Sequence, residues 1–301
     1  MAVKVAIAGA TGNLGPAVLN ALLEAGFQVV VLSRKDSSST DSLPQHPNQT
    51  ITKVDYFDIA GLTTVLEATN VVVSTLASKA LDTQKPLIDA SVAAGLKRYL
   101  PSDFGSDLHN PLNQKLPVFK GKVDTHHYLE KLAAENSHFS YTYTYNNAFL
   151  DWGLKVGFTV NPKEHSATLW DGGDVSISMT TLATIGKAVV AIINNLDATK
   201  NKTLYYHDTA ITLNQIVDIV KSIDGKEWTT KVEQTKDIEQ KAYAELQKPD
   251  GSVGGVMVGF IRRACFSKDH NPNFTDGLSN ELLGLPVFSR EGLVEVIKSQ
   301  L

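Results

Sequence analysis

A single cysteine, Cys265, stands in a chain of 301 residues, which excludes an internal disulfide framework and a cysteine-based zinc site. That scarcity fits a reducing compartment, so a cytoplasmic location is expected and the sequons at Asn48, Asn201 and Asn273 read as chance matches. Cys265 has no base partner identifiable in the sequence and reads as a core or surface thiol rather than a nucleophile. No run approaches the roughly 18 consecutive apolar residues that a membrane span needs. The apolar opening from Met1 breaks at Gly9 into Gly and Asn without a cleavage pattern, and it reads as a buried strand rather than a secretory signal. Neither sign of charge dominates: 28 Lys and Arg oppose 32 Asp and Glu, a formal charge of -4. There is thus no electrostatic footprint for nucleic acid or an anionic membrane. Internal repeats are missing as well, and the nearest approach to low complexity, Ser37-Ser38-Ser39-Thr40 followed by Pro44 and Pro47, reads as a polar surface loop.

What is present is an ordinary globular balance, 43% hydrophobic and 20% charged. At this length a single core has stopped growing, so one large domain with a smaller lobe, or two closely packed domains, is expected. Short β-branched runs alternate with helical periodicity. Strands are expected at Val3 to Ala8, Gln28 to Ser33, Val71 to Leu76, Arg98 to Pro101 and Ser140 to Tyr145. Helices are expected at Gly15 to Ala25, Leu62 to Ala68, Lys85 to Ala94 and Val118 to Glu135. That alternation predicts right-handed crossovers and a Rossmann-type, doubly wound parallel α/β sheet over residues 1–150. Residues 151–301 are expected to form mainly a smaller α/β substrate-binding lobe, with about 175–200 packing back on the first domain. Two more helices, Leu182 to Asn194 and Leu213 to Ile223, have Thr181 and Thr212 as expected N-caps. The Gly- and Ser-rich stretch Lys248 to Gly259 reads as a mobile loop over a site.

The strongest motif is Gly9-Ala10-Thr11-Gly12-Asn13-Leu14-Gly15, placed between the first strand and the first helix. Its glycines allow a tight turn, close approach of backbone amides to a pyrophosphate, and close packing of helix on strand. The second strand then ends in Ser33-Arg34-Lys35, where an NAD enzyme would present an acidic residue to the ribose 2'-hydroxyl. Arg34 and Lys35 are expected to face the 2'-phosphate of NADP instead, the alternative being two solvated charges in a loop, so NADPH/NADP is the expected cofactor. Asp55, closing the third strand, either accepts from the adenine amino group or caps the next helix. Ligands of such sheets bind at the carboxyl ends of the strands. Thr75, Leu76, Ser102, Asp103, Phe104, Asn147 and Phe149 are therefore expected at the cofactor. Tyr141, Tyr143 and Tyr145 alternate with threonines and share one strand face, which predicts packing under a crossover helix.

The glycine motif, Arg98-Tyr99-Leu100-Pro101-Ser102-Asp103-Phe104-Gly105, Phe119 with Lys122 and Glu130, Tyr141-Thr142-Tyr143 and Asn147-Ala148-Phe149 together resemble the isoflavone reductase-like family. That family includes phenylcoumaran benzylic ether, pinoresinol-lariciresinol and isoflavone reductases, within the NmrA-like group of atypical short-chain dehydrogenases, and the clear resemblance covers about the first 150 residues. It implies that Gly9, Gly12 and Gly15 hold the pyrophosphate, Arg34 holds the 2'-phosphate, and Lys122 is the catalytic lysine, with Glu130 at the family's eight-residue spacing. Where the plant pattern has two arginines this chain has His126-His127, so the plant substrates are not carried over directly.

No tyrosine has a lysine four residues later, and Tyr128 and Lys131 are only three apart, which disfavours the Tyr-x-x-x-Lys ketoreductase mechanism. An exposed lysine titrates near about 10.4, but burial and a neighbouring cation lower that value. Lys122 is expected either to exchange a proton with a phenolic or enone oxygen or to bind the nicotinamide ribose. His126 shares its helix face and is either a second polar group at the substrate or a packed residue. Adjacent histidine side chains diverge, so no metal site is expected. The reading is an NADPH-dependent reductase of a small aromatic or enone metabolite, monomeric or homodimeric. Its rival is an NADP-sensing regulator that binds a protein partner without turnover. A nucleotide-sugar epimerase or dehydratase is disfavoured by the missing tyrosine–lysine pair.

Overall fold

In the computed structural model, which describes residues 3–248 and 253–301, the apolar run from Val5 to Ala8 lies in a strand buried on both faces (β1, Lys4–Ala8). Helix α1 (Gly15–Glu24) buries Val18, Leu19, Leu22 and Leu23 and ends where Gly26 adopts φ +82°. Then come β2 (Gln28–Arg34), β3 (Gln49–Val54), α2 (Ile59–Leu66), β4 (Val71–Ser74), α3 (Gln84–Ala93) and β5 (Arg98–Leu100). All five strands pair in parallel in the order β3-β2-β1-β4-β5, a doubly wound parallel sheet as expected from the sequence. A short helix α4 (Pro111–Gln114) and a 3-10 turn at Pro117–Phe119 precede α5 (Lys120–Glu135). The helix expected from Val118 thus becomes α-helical only at Lys120, because Pro117 has no N–H to give and opens a tighter turn. Strand β6 (Thr142–Tyr145) follows, and a single parallel bridge joins Tyr141 to Tyr99 of β5.

The remaining elements are β7 (Ala148–Phe149), α6 (Leu150–Lys155), β8 (Ser166–Trp170), β9 (Ile177–Thr180), α7 (Leu182–Asn194), β10 (Lys202–Tyr205), β11 (Thr209–Ile211), α8 (Leu213–Asp224), β12 (Thr229–Glu233), α9 (Thr235–Leu246), α10 (Val253–Phe266), α11 (Asn280–Leu283) and α12 (Arg290–Lys298). Strands β11, β9 and β7 make one small sheet, and β8 pairs in parallel with β12. Thr212 and Gln215 form a reciprocal capping box at the start of α8, and Gly225 ends it at φ +69°. Thr181 Oγ1 accepts from Thr184 N at 3.3 Å at the start of α7.

By contacts the chain forms two units. The first is Met1–Asp103, Gly121–Thr144 and Ile185–Leu204, and the second is Phe104–Lys120, Tyr145–Thr184 and Tyr205–Leu301. Within the first, Gly186 of α7 lies so close to α1 that a Cβ there would stand 2.7 Å from the Ala17 carbonyl oxygen. Also within it, the buried Arg98 spends its donors on Ser140 Oγ (2.7 Å), Thr142 Oγ1 (2.7 Å), Thr199 Oγ1 (2.9 Å) and the Leu196 carbonyl (2.6 Å), fastening β5 to β6. Burial lowers its pKa to about 10, which leaves it cationic at neutral pH.

The second unit has its own core, including Trp170, Ile177, Met179, Ile216, Val220 and Phe266. Here one expectation is corrected. The stretch Lys248 to Gly259 is helical from Val253 onward rather than a loop, while residues 249–252 lie outside the described residues. Gly259 serves packing: a Cβ there would stand 3.2 Å from Ala242 Cβ and 3.4 Å from Ile238 of α9. Burial also pulls His207 and His270 down to about 4, with Arg263 adding to the effect on His270. Both are neutral when folded at pH values where the unfolded chain takes up protons, so the melting temperature is expected to fall as pH drops from about 6.5 towards 4. A flat thermal-denaturation profile across that window would show that neither histidine is buried as described. Among the described residues no helix is long and apolar enough to cross a membrane.

Candidate functional site

The glycine loop leaves the carboxyl end of β1 and is held by backbone packing at two of its three glycines. Gly9 has φ +86°, and a Cβ there would lie 2.6 Å from the Thr75 carbonyl oxygen. At Gly15 the added Cβ would lie 2.2 Å from the Gly9 carbonyl oxygen. Gly12 differs: its added Cβ would meet Gly9 O at an ordinary 3.4 Å, so internal packing does not require glycine at that position. Thr11, Gly12 and Asn13 are exposed, and Leu14, the N-cap residue of α1, makes no side-chain cap hydrogen bond. The first-turn amides of α1 are therefore not capped by that side chain, the arrangement in which a helix N-terminus takes a phosphate. This loop fits a dinucleotide pyrophosphate. Thr75 closes the floor, its N and Oγ1 both donating to Ala8 O at 2.8 and 2.9 Å.

Arg34 ends β2 and Lys35 follows it, both exposed. The serine run read as a plain surface loop folds back on the glycine loop, Thr11 Oγ1 donating to Ser39 Oγ at 3.1 Å. Lys53 of β3 reaches into the same loop, donating to Ser33 Oγ at 3.3 Å, Thr40 Oγ1 at 3.4 Å and the Ser37 carbonyl. The spacing between Arg34 and Lys53 hides this third cation from a sequence reading; only the β2–β3 register, Ser33 opposite Lys53, reveals it. Asp55 is exposed and accepts from Phe57 N at 3.0 Å, whereas the cap of α2 is Asp58, accepting from Gly61 N at 2.9 Å.

At the end of β5 the chain makes a hub. Ser102 Oγ donates to the Leu76 carbonyl at 2.7 Å, and Ser102 N donates to Gln84 Oε1 at 3.0 Å. The next residue, Asp103, is 3% exposed and meets two side chains from one face of α5. Lys122 Nζ donates to its carbonyl oxygen at 2.6 Å, and His126 Nε2 lies 2.7 Å from its carboxylate Oδ2. The four-residue spacing thus brings Lys122 and His126 to the same residue, as helical periodicity requires. The His126 ring is buried and stacked on Tyr143 at 3.9 Å, Tyr143 stacks on Tyr141 at 4.5 Å, and His127 is exposed. The single hydroxyl proton of Tyr143 is shared between the His126 carbonyl at 3.1 Å and Glu130 Oε1 at 3.4 Å. Burial, and after it the charge of Glu130, push the Tyr143 phenol up, so it stays a protonated donor.

Phe104, Asn147 and Phe149 belong to the second unit. Phe104 and Asn147 both have positive φ, +21° and +50°, and Asn147 Nδ2 donates to the carbonyls of Pro272 (3.1 Å) and Cys265 (3.3 Å). Phe149 is half-buried, edge-on to Trp152.

The sequence model of the NmrA-like family matches residues 1–248. An oxidoreductase of Aspergillus flavus, aprR, is 29% identical over 293 residues, spanning 95% of this chain and 96% of its own length. Phenylcoumaran benzylic ether reductase PT1 of Pinus taeda is 27% identical over 295 residues, 91% of this chain and 90% of its own. The solved binary complex of leucoanthocyanidin reductase with NADPH from Vitis vinifera shares the fold at a TM-score of 0.79, over 99% of both chains and at 21% identity.

Proposed function

The chain belongs to the NmrA-like family, and from that premise we propose that it is an NADPH-dependent oxidoreductase that reduces a small aromatic or enone-bearing metabolite. The observation that carries this reading is the Lys122 ammonium, held at 2.6 Å by the Asp103 carbonyl at the carboxyl end of β5, in the unit that also holds the glycine loop. A doubly wound sheet binds its ligand at that edge. A protein that only sensed NADP would need the phosphate loop but no proton-transfer group.

Gly9, Gly12, Gly15 and the N-terminus of α1 hold the pyrophosphate, and Arg34 and Lys35 hold the 2'-phosphate, with Lys53 adding charge beneath. NADPH, when bound, supplies hydride. Lys122 delivers the matching proton to the substrate oxygen and regains one from water. Its carbonyl partner fixes the direction of a side chain that otherwise has four rotatable bonds. His126 acts through Asp103: gripping that carboxylate, it holds the residue whose carbonyl holds Lys122.

Two measurements test this. Purified protein with NADPH, offered phenylpropanoid ethers, isoflavones, quinones and enones, is expected to oxidise the cofactor with at least one class. Absence of turnover on all of them, with tight binding that depends on oxidation state, would make the protein a regulator. Arg34→Ala is expected to weaken NADPH by about 10–100-fold, the value of charge-assisted hydrogen bonds, and to leave NADH affinity unchanged. Equal losses for both cofactors would remove the 2'-phosphate role.

A further inference from the structure

The fold treats two consecutive arginines of α10 in opposite ways. Arg263 is buried with its donors used, Nε on Glu239 at 2.9 Å and Nη1 on Thr235 Oγ1 at 2.7 Å and Ser267 Oγ at 2.6 Å. Arg262 has no such bonds among the described residues: its guanidinium lies 5.2 Å from the ring centre of Trp170 and 5.9 Å from that of Phe158, and its buried Nε has no hydrogen-bond partner. Burial pulls its pKa below the ordinary arginine range, as expected of a desolvated cation.

Arg262 lines a cavity of about 300 Å³, all of whose lining residues belong to the second unit. Thr159, 3% exposed, lines it too, and its Oγ1 is equally without a partner. A buried hydroxyl and a buried guanidinium N–H left unmade beside one cavity are an unmet demand for an acceptor. The other cation there, Lys231, is already paired with Glu233 at 2.6 Å, so the site offers one net positive charge rather than the several that a phosphate dianion would draw on. An uncharged apolar ligand would leave both donors unmet. The planar fork of an arginine suits a carboxylate, the rings of Trp170 and Phe158 suit an aromatic group, and the volume suits one small molecule.

We propose that this cavity is a ligand site for a small aromatic carboxylate, its carboxylate taken by Arg262 and Thr159 and its ring by Trp170 and Phe158. The site shares no residue with the Lys122 and glycine-loop groups and does not rest on the reductase reading. Titration of the full chain with benzoate, read by calorimetry and tryptophan fluorescence, is expected to give saturable one-to-one binding. Benzyl alcohol in place of benzoate, or Arg262→Gln in place of the wild type, is expected to bind about tenfold more weakly or worse, as loss of a charge-assisted pair requires. Thr159→Val, nearly isosteric, is expected to weaken benzoate with the melting temperature unchanged, which keeps the test open should Arg262→Gln fail to fold. Lys122→Ala is expected to bind benzoate like the wild type. Four results would overturn the proposal: no saturable benzoate binding, undiminished binding by the two cavity variants, inorganic phosphate bound as tightly as benzoate, or loss of binding in Lys122→Ala, which would put the acid at the reductase site.

Discussion

Lys122→Ala is expected to lower NADPH-dependent turnover by about 10²–10⁴-fold, the range that a positioned proton donor contributes, while NADPH binding persists. The expectation follows from geometry. The ammonium is fixed by a backbone carbonyl at the edge of the sheet where a doubly wound fold places its ligand, and no tyrosine–lysine pair stands in the chain to take over the proton. Lys122→Arg separates the two roles open to this lysine. A guanidinium keeps the positive charge and can still donate to the Asp103 carbonyl, but it does not give up a proton near neutrality. If Lys122 transfers a proton, the arginine variant binds NADPH well and is nearly inactive; if it anchors the nicotinamide ribose, the arginine variant keeps much of its turnover and alanine raises the NADPH dissociation constant. Wild-type turnover by the alanine variant would sink both.

The parts of this arrangement that the sequence made legible are those set by short-range repetition. Strand and helix periods announced the parallel sheet, and a glycine string between a strand and a helix announced the phosphate loop. Contacts made at long separation left no such trace. Lys122 and Asp103 are 19 residues apart, and the bond between them depends on how α5 returns to the end of β5. His126 was readable as sharing a face with Lys122, yet its partnership with Asp103 and its stacking on Tyr143 needed the packed structure. Lys53 joined the serine loop only through strand register. The misreading of Val253 to Gly259 has the same origin: glycine permits both a loop and a close helix contact, and the choice was made by Ala242 and Ile238 of α9, which the local sequence does not show.

The three loop glycines are expected to separate into two behaviours when each is replaced by alanine. Gly15→Ala sets a methyl 2.2 Å from the Gly9 carbonyl oxygen and 2.5 Å from the Ala10 carbonyl carbon, both backbone atoms, so the turn itself must move. Overpacking of this kind costs about 1–3 kcal/mol, and more where the backbone cannot yield, so a lowered melting temperature and loss of NADPH binding are expected together. Gly9→Ala adds about 1–2 kcal/mol of left-handed backbone strain to its clash with the Thr75 carbonyl, and the same joint loss is expected. Gly12→Ala meets only an ordinary contact at 3.4 Å, so its melting temperature is expected to match the wild type. If a pyrophosphate approaches the loop here, the methyl occupies its space, and NADPH affinity is expected to fall about tenfold or more, or about 1.4 kcal/mol, in a protein that is otherwise intact. The comparison isolates the ligand as the reason for a glycine: where protein atoms already demand one, stability and binding fail together, and where only the cofactor demands one, binding fails alone. A Gly12→Ala protein that bound NADPH like the wild type would show that the pyrophosphate does not rest on this turn.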